Sequence, residues 1–366
     1  MKIVICLFLL CGLTALSQET NKTDKVFVGY VYRPPAKINF KLYTHLCHAF
    51  ITADENGVVR TNRNVPSRDL TTQAHEAGVK VLLSLGGWGW DKQFAAIVSK
   101  PEAEERYVAS VMGMVDVCDY DGIDLDWEYP DTAEEIVGFE RLAKRFRKQL
   151  DELGVKKKRA MAQTMAAAAN SSTLKWLSNE LLLGTMDWVN VMTYDMAGDW
   201  TDYAGHHSPL FASKRQPGSP RSTELSIRYL IERGMPADRL ALGIPLYGKG
   251  FAVSEPYAST KDKKQGQRAP GGNYSRLVQL QKEQGWTRQW DDETKSPWLI
   301  APDRSAVIGY EDTESIALKT AWGMKLGLRG VFFWEINHDR LADGTNPLQE
   351  ASRQKFDQGG RAHQAR

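Results

Sequence analysis

Asp121-Gly122-Ile123-Asp124-Leu125-Asp126-Trp127-Glu128-Tyr129-Pro130 is the most informative stretch of the chain. From Ile123 to Glu128, apolar and acidic residues alternate with a period of two. That is the pattern of a β-strand, whose successive side chains face opposite ways. Asp124, Asp126 and Glu128 then share one face, and Ile123, Leu125 and Trp127 share the other. Three carboxylates crowded on one partly buried face cannot all ionise cheaply, so mutual repulsion raises at least one pKa. The trio would also suit a hard cation, or a purely structural acidic cluster. No further group of oxygen ligands stands at a spacing that would complete a cage.

Outward from this strand, short β-branched or apolar runs alternate with helical patterns, as in βα units around a parallel sheet. Eight strands are predicted: 25–31, 43–51, 79–85, 122–128, 160–166, 188–194, 240–246 and 330–335. Helical patterns at 101–117, 133–153, 223–233 and 312–325 separate several of them. Eight such units predict an α/β fold, a closed (β/α)8 TIM barrel, with an open doubly wound sheet as the alternative; no G-x-G-x-x-G follows the first strand, against a dinucleotide-binding version. The acids then face the lumen, and Glu128 lies nearest the strand's C-terminal end, where barrel active sites form. It is the candidate for a carboxyl kept protonated as a general acid. A Gly-, Lys-, Gln- and Trp-rich stretch at about 252–305 is predicted as a small α+β lobe inserted between the seventh and eighth strands. The barrel should span 25–350, with 351–366 a C-terminal tail.

Lysine plus arginine number 47 against 45 acids, a formal net charge of +2. This balance gives no reason to expect nucleic acid or anionic lipid as a partner; a neutral ligand fits better. The run Lys156-Lys157-Lys158-Arg159 reads as a solvated turn before a strand. Residues 1–17 read as a secretory leader. Lys2 precedes an apolar stretch too short to span a bilayer, and Ala15-Leu16-Ser17 offers a cleavage site. The expected location is therefore secreted or periplasmic, without a membrane span. Cys47 and Cys118 would remain after cleavage. They are expected to stay unpaired, because the second strand and the helix before the fourth are not neighbours in a sequentially ordered barrel. Sequons occur at Asn21, Asn170 and Asn273.

The run Asp121 to Glu128 matches the D-G-x-D-x-D-x-E signature of family 18 glycoside hydrolases, and Trp127-Glu128-Tyr129-Pro130 resembles the chitinase branch of that family. Other segments agree in order: Ser84-Leu85-Gly86-Gly87, Met192-Thr193-Tyr194-Asp195, Gly243-Ile244-Pro245-Leu246-Tyr247-Gly248 and Phe333-Trp334-Glu335 resemble the family's motifs on strands three, six, seven and eight. The resemblance implies a chitinase acting on β-1,4-linked N-acetylglucosamine with retention, the substrate's own acetamide serving as nucleophile. Glu128 would be the proton donor and later the base. Asp126 would accept the acetamide N–H, with Asp124 behind it sharing a proton. Tyr194 would hold the acetamide oxygen, and Asp195 would bond near the same sugar or to the acid. Met192 would pack beneath.

Eleven tryptophans suit stacking on sugar rings. Trp334 resembles the floor of the cleaved-sugar subsite, while Trp88 and Trp200 resemble rim residues on the leaving-group side. Tyr30, Tyr247 and Tyr129 should face the same mouth. Lys249 stands where the family often has arginine. Trp176, Trp188 and Trp322 fall in helical or strand patterns and are predicted as core. No metal is expected, because the chain lacks an H-E-x-x-H or paired-cysteine site; no cofactor, a chitin or chitooligosaccharide partner and a monomer are expected as well. The competing functions are an endo-N-acetylglucosaminidase on another glycan and a non-catalytic chitinase-like lectin.

Overall fold

The computed structural model describes residues 25–34, 37–261 and 271–364, with side chains through 359. The leader at 1–17 and the sequon at Asn21 lie outside the described residues.

Eight parallel strands form the barrel: β1 Val26–Val31, β2 His45–Ala53, β3 Lys80–Gly86, β4 Gly122–Asp126, β5 Ala162–Ala168, β6 Trp188–Met192, β7 Leu240–Pro245 and β8 Gly330–Trp334. Every strand lies within two residues of its predicted bounds. Each pairs with its sequence neighbour, and β1 closes the ring on β8 through Val26↔Gly330 to Gly29↔Phe333. Burial on both faces explains their near-continuous apolar character. Phe27, Leu46, Ile123, Leu125, Ile244 and Phe333 meet the surrounding helices. Val28, Tyr30, Cys47, Leu82, Ala166, Trp188 and Phe332 pack inside the lumen. The glycine of the acidic motif has a steric reason. A Cβ on Gly122 would lie 1.9 Å from the Ala162 carbonyl oxygen, and its φ is +151°.

The helix Ala133–Lys157 begins with a capping box, Thr132 bonding the Glu135 N–H and Glu135 reaching back to Thr132. Its buried stripe of Phe139, Leu142, Ala143, Phe146, Leu150 and Leu153 repeats every three or four residues and faces the barrel. The helix Pro101–Val117 matches its predicted bounds, and Thr313–Lys325 starts at an Asp312 cap. Cys118 caps the first of these, and both Cys118 and Cys47 are free.

Between β7 and β8 stands the predicted α+β lobe. Its antiparallel strands are Tyr247–Phe251, Gly272–Asn273, Thr287–Asp291, Ser296–Ile300 and Val307–Gly309, with the helix Tyr274–Gln284. The lobe therefore reaches beyond 252–305 at both ends. The chain leaves β7 and at once pairs Lys249 with Gly309 and Phe251 with Val307.

Three expectations need correction. Residues 351–364 are not a tail but part of a helix, Pro347–Gln364, that buries Leu348 and Phe356. Trp176 is 48% exposed, not core, with Lys175 lying 4.6 Å from its ring centroid; Trp188 is buried as expected. The basic run is not simply solvated. Lys156 pairs with Asp116 at 2.7 Å, while Lys157 and Arg159 each hold Asp119 at 2.9 Å. Among the described residues no helix is long and apolar enough to cross a membrane.

Candidate active site

At the C-terminal ends of the strands lies a cleft of about 510 Å³, lined among others by Asp126, Glu128, Tyr194, Asp195 and Trp334. One turn of the pleat deeper on the same strand, Asp124 is fully buried. Four donors serve that carboxylate: Tyr30 at 2.7 Å, Ser84 at 2.8 Å, Thr164 at 2.6 Å and Asn190 at 3.3 Å. No bond to Asp126 is among them. These neutral donors come from β1, β3, β5 and β6. Burial raises the Asp124 carboxyl, and the four donors pull against that rise.

Asp126 differs. It is 3% exposed, and its Oδ1 has no hydrogen-bond partner. A buried polar atom left unpaired is costly, so such an atom facing a cleft marks a place for a ligand's donor. Burial, then the charges of Glu128 and Asp124, push its carboxyl well above the ordinary range. Glu128 stands just beyond the end of β4. Burial lifts its carboxyl to about 7; a hydrogen bond with Tyr129 opposes this, and the Asp195 charge adds to it. The lift expected from crowding thus comes mainly from burial. Among the described residues, no group of three or more His, Cys, Asp or Glu is arranged to hold a metal ion.

Past β6 the chain turns through Asp195 at φ +57°, a left-handed conformation that aspartate tolerates better than most residues. Its half-exposed carboxylate accepts the Tyr247 hydroxyl at 2.6 Å and lies 3.1 Å from Lys249 Nζ and 3.5 Å from His207 Nδ1. Burial opposes the charge, but His207, Lys249 and Tyr247 outweigh it and bring the carboxyl down to about 2. The cleft therefore holds two acids of opposite habit, Glu128 keeping its proton up to about pH 7 and Asp195 ionised.

Aromatic rings form the walls. Trp334 stacks on Phe50 at 5.6 Å and approaches Tyr30 and Tyr32. Tyr30 lies beneath the floor with its hydroxyl committed to Asp124. Met192 and Tyr194 line both this cleft and an adjoining groove of about 650 Å³, which Tyr129 and Arg221 also line. Trp88 stands 80% exposed on the rim. Trp200 lines a separate recess with Asp202 and Tyr257. Its link to the cleft is Lys249, whose Nζ sits 4.2 Å from the indole centroid.

Sequence reading missed Tyr32, Phe50, Asn62 and Trp90 in the cleft lining, and His207 beside Asp195. Phe50 carried a readable signal, since it sits near the C-terminal end of a predicted strand. His207 carried none, because eleven residues of irregular chain separate it from Asp195.

A model of the family described as glycosyl hydrolases family 18 matches residues 17–339. Chitinase 1 of Aphanocladium album is 30% identical over 284 residues, covering 75% of this chain and 65% of that protein. Chitinase A1 of Niallia circulans is 28% identical over 297 residues, covering 74% of this chain and 42% of that one. The chain thus spans less than two thirds of either relative. A family 18 chitinase from Cycas revoluta, solved in complex with (GlcNAc)4, superposes with a TM-score of 0.79 at 26% identity, over 90% of this chain and 99% of that one.

Proposed function

The chain belongs to glycosyl hydrolase family 18, and from that premise we propose that it is a secreted, monomeric chitinase that hydrolyses β-1,4-linked N-acetylglucosamine with retention of configuration. One observation carries the reading: a carboxyl at about 7, Glu128, shares a cleft with a buried carboxyl oxygen without a partner, Asp126 Oδ1, and with a tryptophan platform.

Glu128 enters the reaction protonated and gives its proton to the glycosidic oxygen. The acetamide oxygen of the same sugar attacks the anomeric carbon as that bond breaks, forming an oxazolinium ion. Asp126 Oδ1 accepts the acetamide N–H, which satisfies the buried oxygen and holds the nucleophile in line. Tyr194 donates its hydroxyl to the acetamide oxygen. Glu128, now a carboxylate, takes a proton from the water that opens the ring, so both steps occur on one face. Asp124, held by its four donors, lies behind Asp126, and its charge helps keep the Asp126 carboxyl high. Trp334 carries the reacting sugar, and Trp88 and Trp200 carry its neighbours. The tetrasaccharide complex of the cycad chitinase supports a β-linked GlcNAc oligomer as ligand. Secretion rests on the apolar segment at 1–17.

Mass spectrometry of products from a defined chitohexaose, with proton NMR of the first anomer released, tests the proposal. Short chitooligosaccharides with a β-anomer at the new end are expected. An initial α-anomer refutes the mechanism. Binding without cleavage means a lectin, and cleavage of a glycoprotein glycan alone means another substrate.

A further inference from the structure

The geometry points to His207 as the residue that positions Asp195, by carrying a proton on each ring nitrogen while Asp195 is anionic. The inference rests on Asp195 being part of the site.

The ring is 1% exposed, and its two nitrogens face different groups. Nε2 lies 3.1 Å from the backbone carbonyl oxygen of Tyr247. A carbonyl only accepts, so Nε2 carries hydrogen. Nδ1, otherwise without a hydrogen-bond partner, lies at ion-pair distance, 3.5 Å, from Asp195 Oδ1. In a neutral ring, Nδ1 would aim its lone pair at a carboxylate. In the imidazolium form both nitrogens donate, and the contact with Asp195 becomes charge-assisted.

The ring cannot easily turn away, because the backbone around it is held from three sides. Met196 N–H donates to the His207 carbonyl at 2.9 Å, tying it to the chain just after Asp195. Ser208 donates to the Thr193 carbonyl at 2.8 Å and receives Lys319, which is itself paired with Glu311. His206 packs against Trp298 with ring centroids 4.0 Å apart and lies 3.5 Å from Asp291, both in the inserted lobe. The charged and titratable groups around the ring are therefore Asp195, Tyr247 and Lys249 in front, His206 with Asp291 toward the lobe, and Lys319 with Glu311 behind. Asp195 is the anion that faces it. A charge held there keeps Asp195 on the Tyr247 and Lys249 side of the cleft, at a fixed distance from Glu128.

The test is nitrogen NMR of the uniformly labelled, full-length protein at pH 6. Burial holds His48, His206 and His338 to about 4 and His45 to about 3, so these four are neutral references at that pH. Two protonated ring nitrogens are expected for His207, in signals that vanish in His207→Asn. A single protonated nitrogen overturns the proposal. This measurement does not depend on turnover, so it stands apart from the substrate assignment. Kinetics add the functional half. His207→Ala should lower kcat about tenfold with KM nearly unchanged, the scale of one lost hydrogen bond to a charged group. His207→Asn, whose amide can still donate to Asp195, should recover most of that loss. Unchanged kcat in His207→Ala, or an equal loss in both variants, overturns the positioning role.

Discussion

Asp121 and Asp126 stand at the two ends of one short strand, and both are almost fully buried, 5% and 3% exposed. Asp121, at the N-terminal end of β4, accepts His75 Nε2 at 2.8 Å and the Val81 N–H at 2.8 Å, with Arg159 3.4 Å away. Around it, Asp116 and Asp119 are matched by Lys156, Lys157 and Arg159. Asp126, at the C-terminal end, faces two other carboxylates and no cation, with one oxygen unpaired. Residue type and burial are the same, so the difference lies in what the neighbouring elements present. The lower end is saturated and serves stability. The upper end keeps charge destabilised where a ligand can relieve it, the division of labour seen generally in these barrels.

That contrast can be broken most directly at the upper end. Glu128→Gln should keep the fold and oligosaccharide binding but lower kcat by about 10²–10⁴. Turnover near wild type would remove Glu128 from the reaction. Trp334→Ala comes next. Loss of the platform under the reacting sugar should lower kcat roughly tenfold and also raise KM. Trp200→Ala should raise KM only, as expected if Trp200, which lines a separate recess, meets only a sugar that does not react. Steady-state kinetics on one soluble oligomer separates the two; a collapse of kcat in Trp200→Ala alone would place the cleaved bond at the wrong end of the cleft.

Proton linkage sharpens the comparison. The folded-state carboxyl of Glu128 is raised to about 7 from 4.5. Below about 4.5 both folded and unfolded states hold the proton, and nothing is lost. As pH rises from 4.5 to 7, only the folded state retains the proton, so stability falls and then levels off. Glu128→Gln removes this loss. Its melting temperature should exceed wild type by a few degrees at pH 8, about 1–3 kcal/mol, and match it at pH 4. A gain at pH 4 of the same size would show that the effect is not electrostatic. The catalytic counterpart is a decline in activity as pH rises through about 7. The smallest effect belongs to the lower end. Asp119→Asn should cost about 1 kcal/mol in chemical denaturation and leave kcat and its pH profile unchanged; a shifted profile would mean that the two ends of β4 are coupled.

The acidic strand was legible because a period of two needs only local sequence, and the barrel because eight βα units repeat it. What escaped was set by distant chain. The final helix was read as a tail because Asp339 caps it from eight residues away, bonding the Leu348 and Gln349 N–H groups at 3.0 and 3.1 Å. Trp176 follows a helical pattern that the fold leaves half exposed. The lysine run gave no hint of its partners, because Asp116 and Asp119 reach it across about forty residues of helix and strand. His207 meets Asp195 only because the segment after β6 loops back over the strand end.

The seam between β1 and β8 bears on how the chain is made. Val26 finds its partner in Gly330, near the far end of the sequence. At roughly 5–20 residues per second, synthesis leaves β1 without that partner for about 15–60 s. During that time one edge of Val26–Gly29 presents free N–H and C=O groups on a fully apolar strand, the kind of edge that pairs with a stranger. A nascent chain of this protein therefore needs shelter until its last strand emerges, and truncation before Gly330 leaves the first strand permanently open.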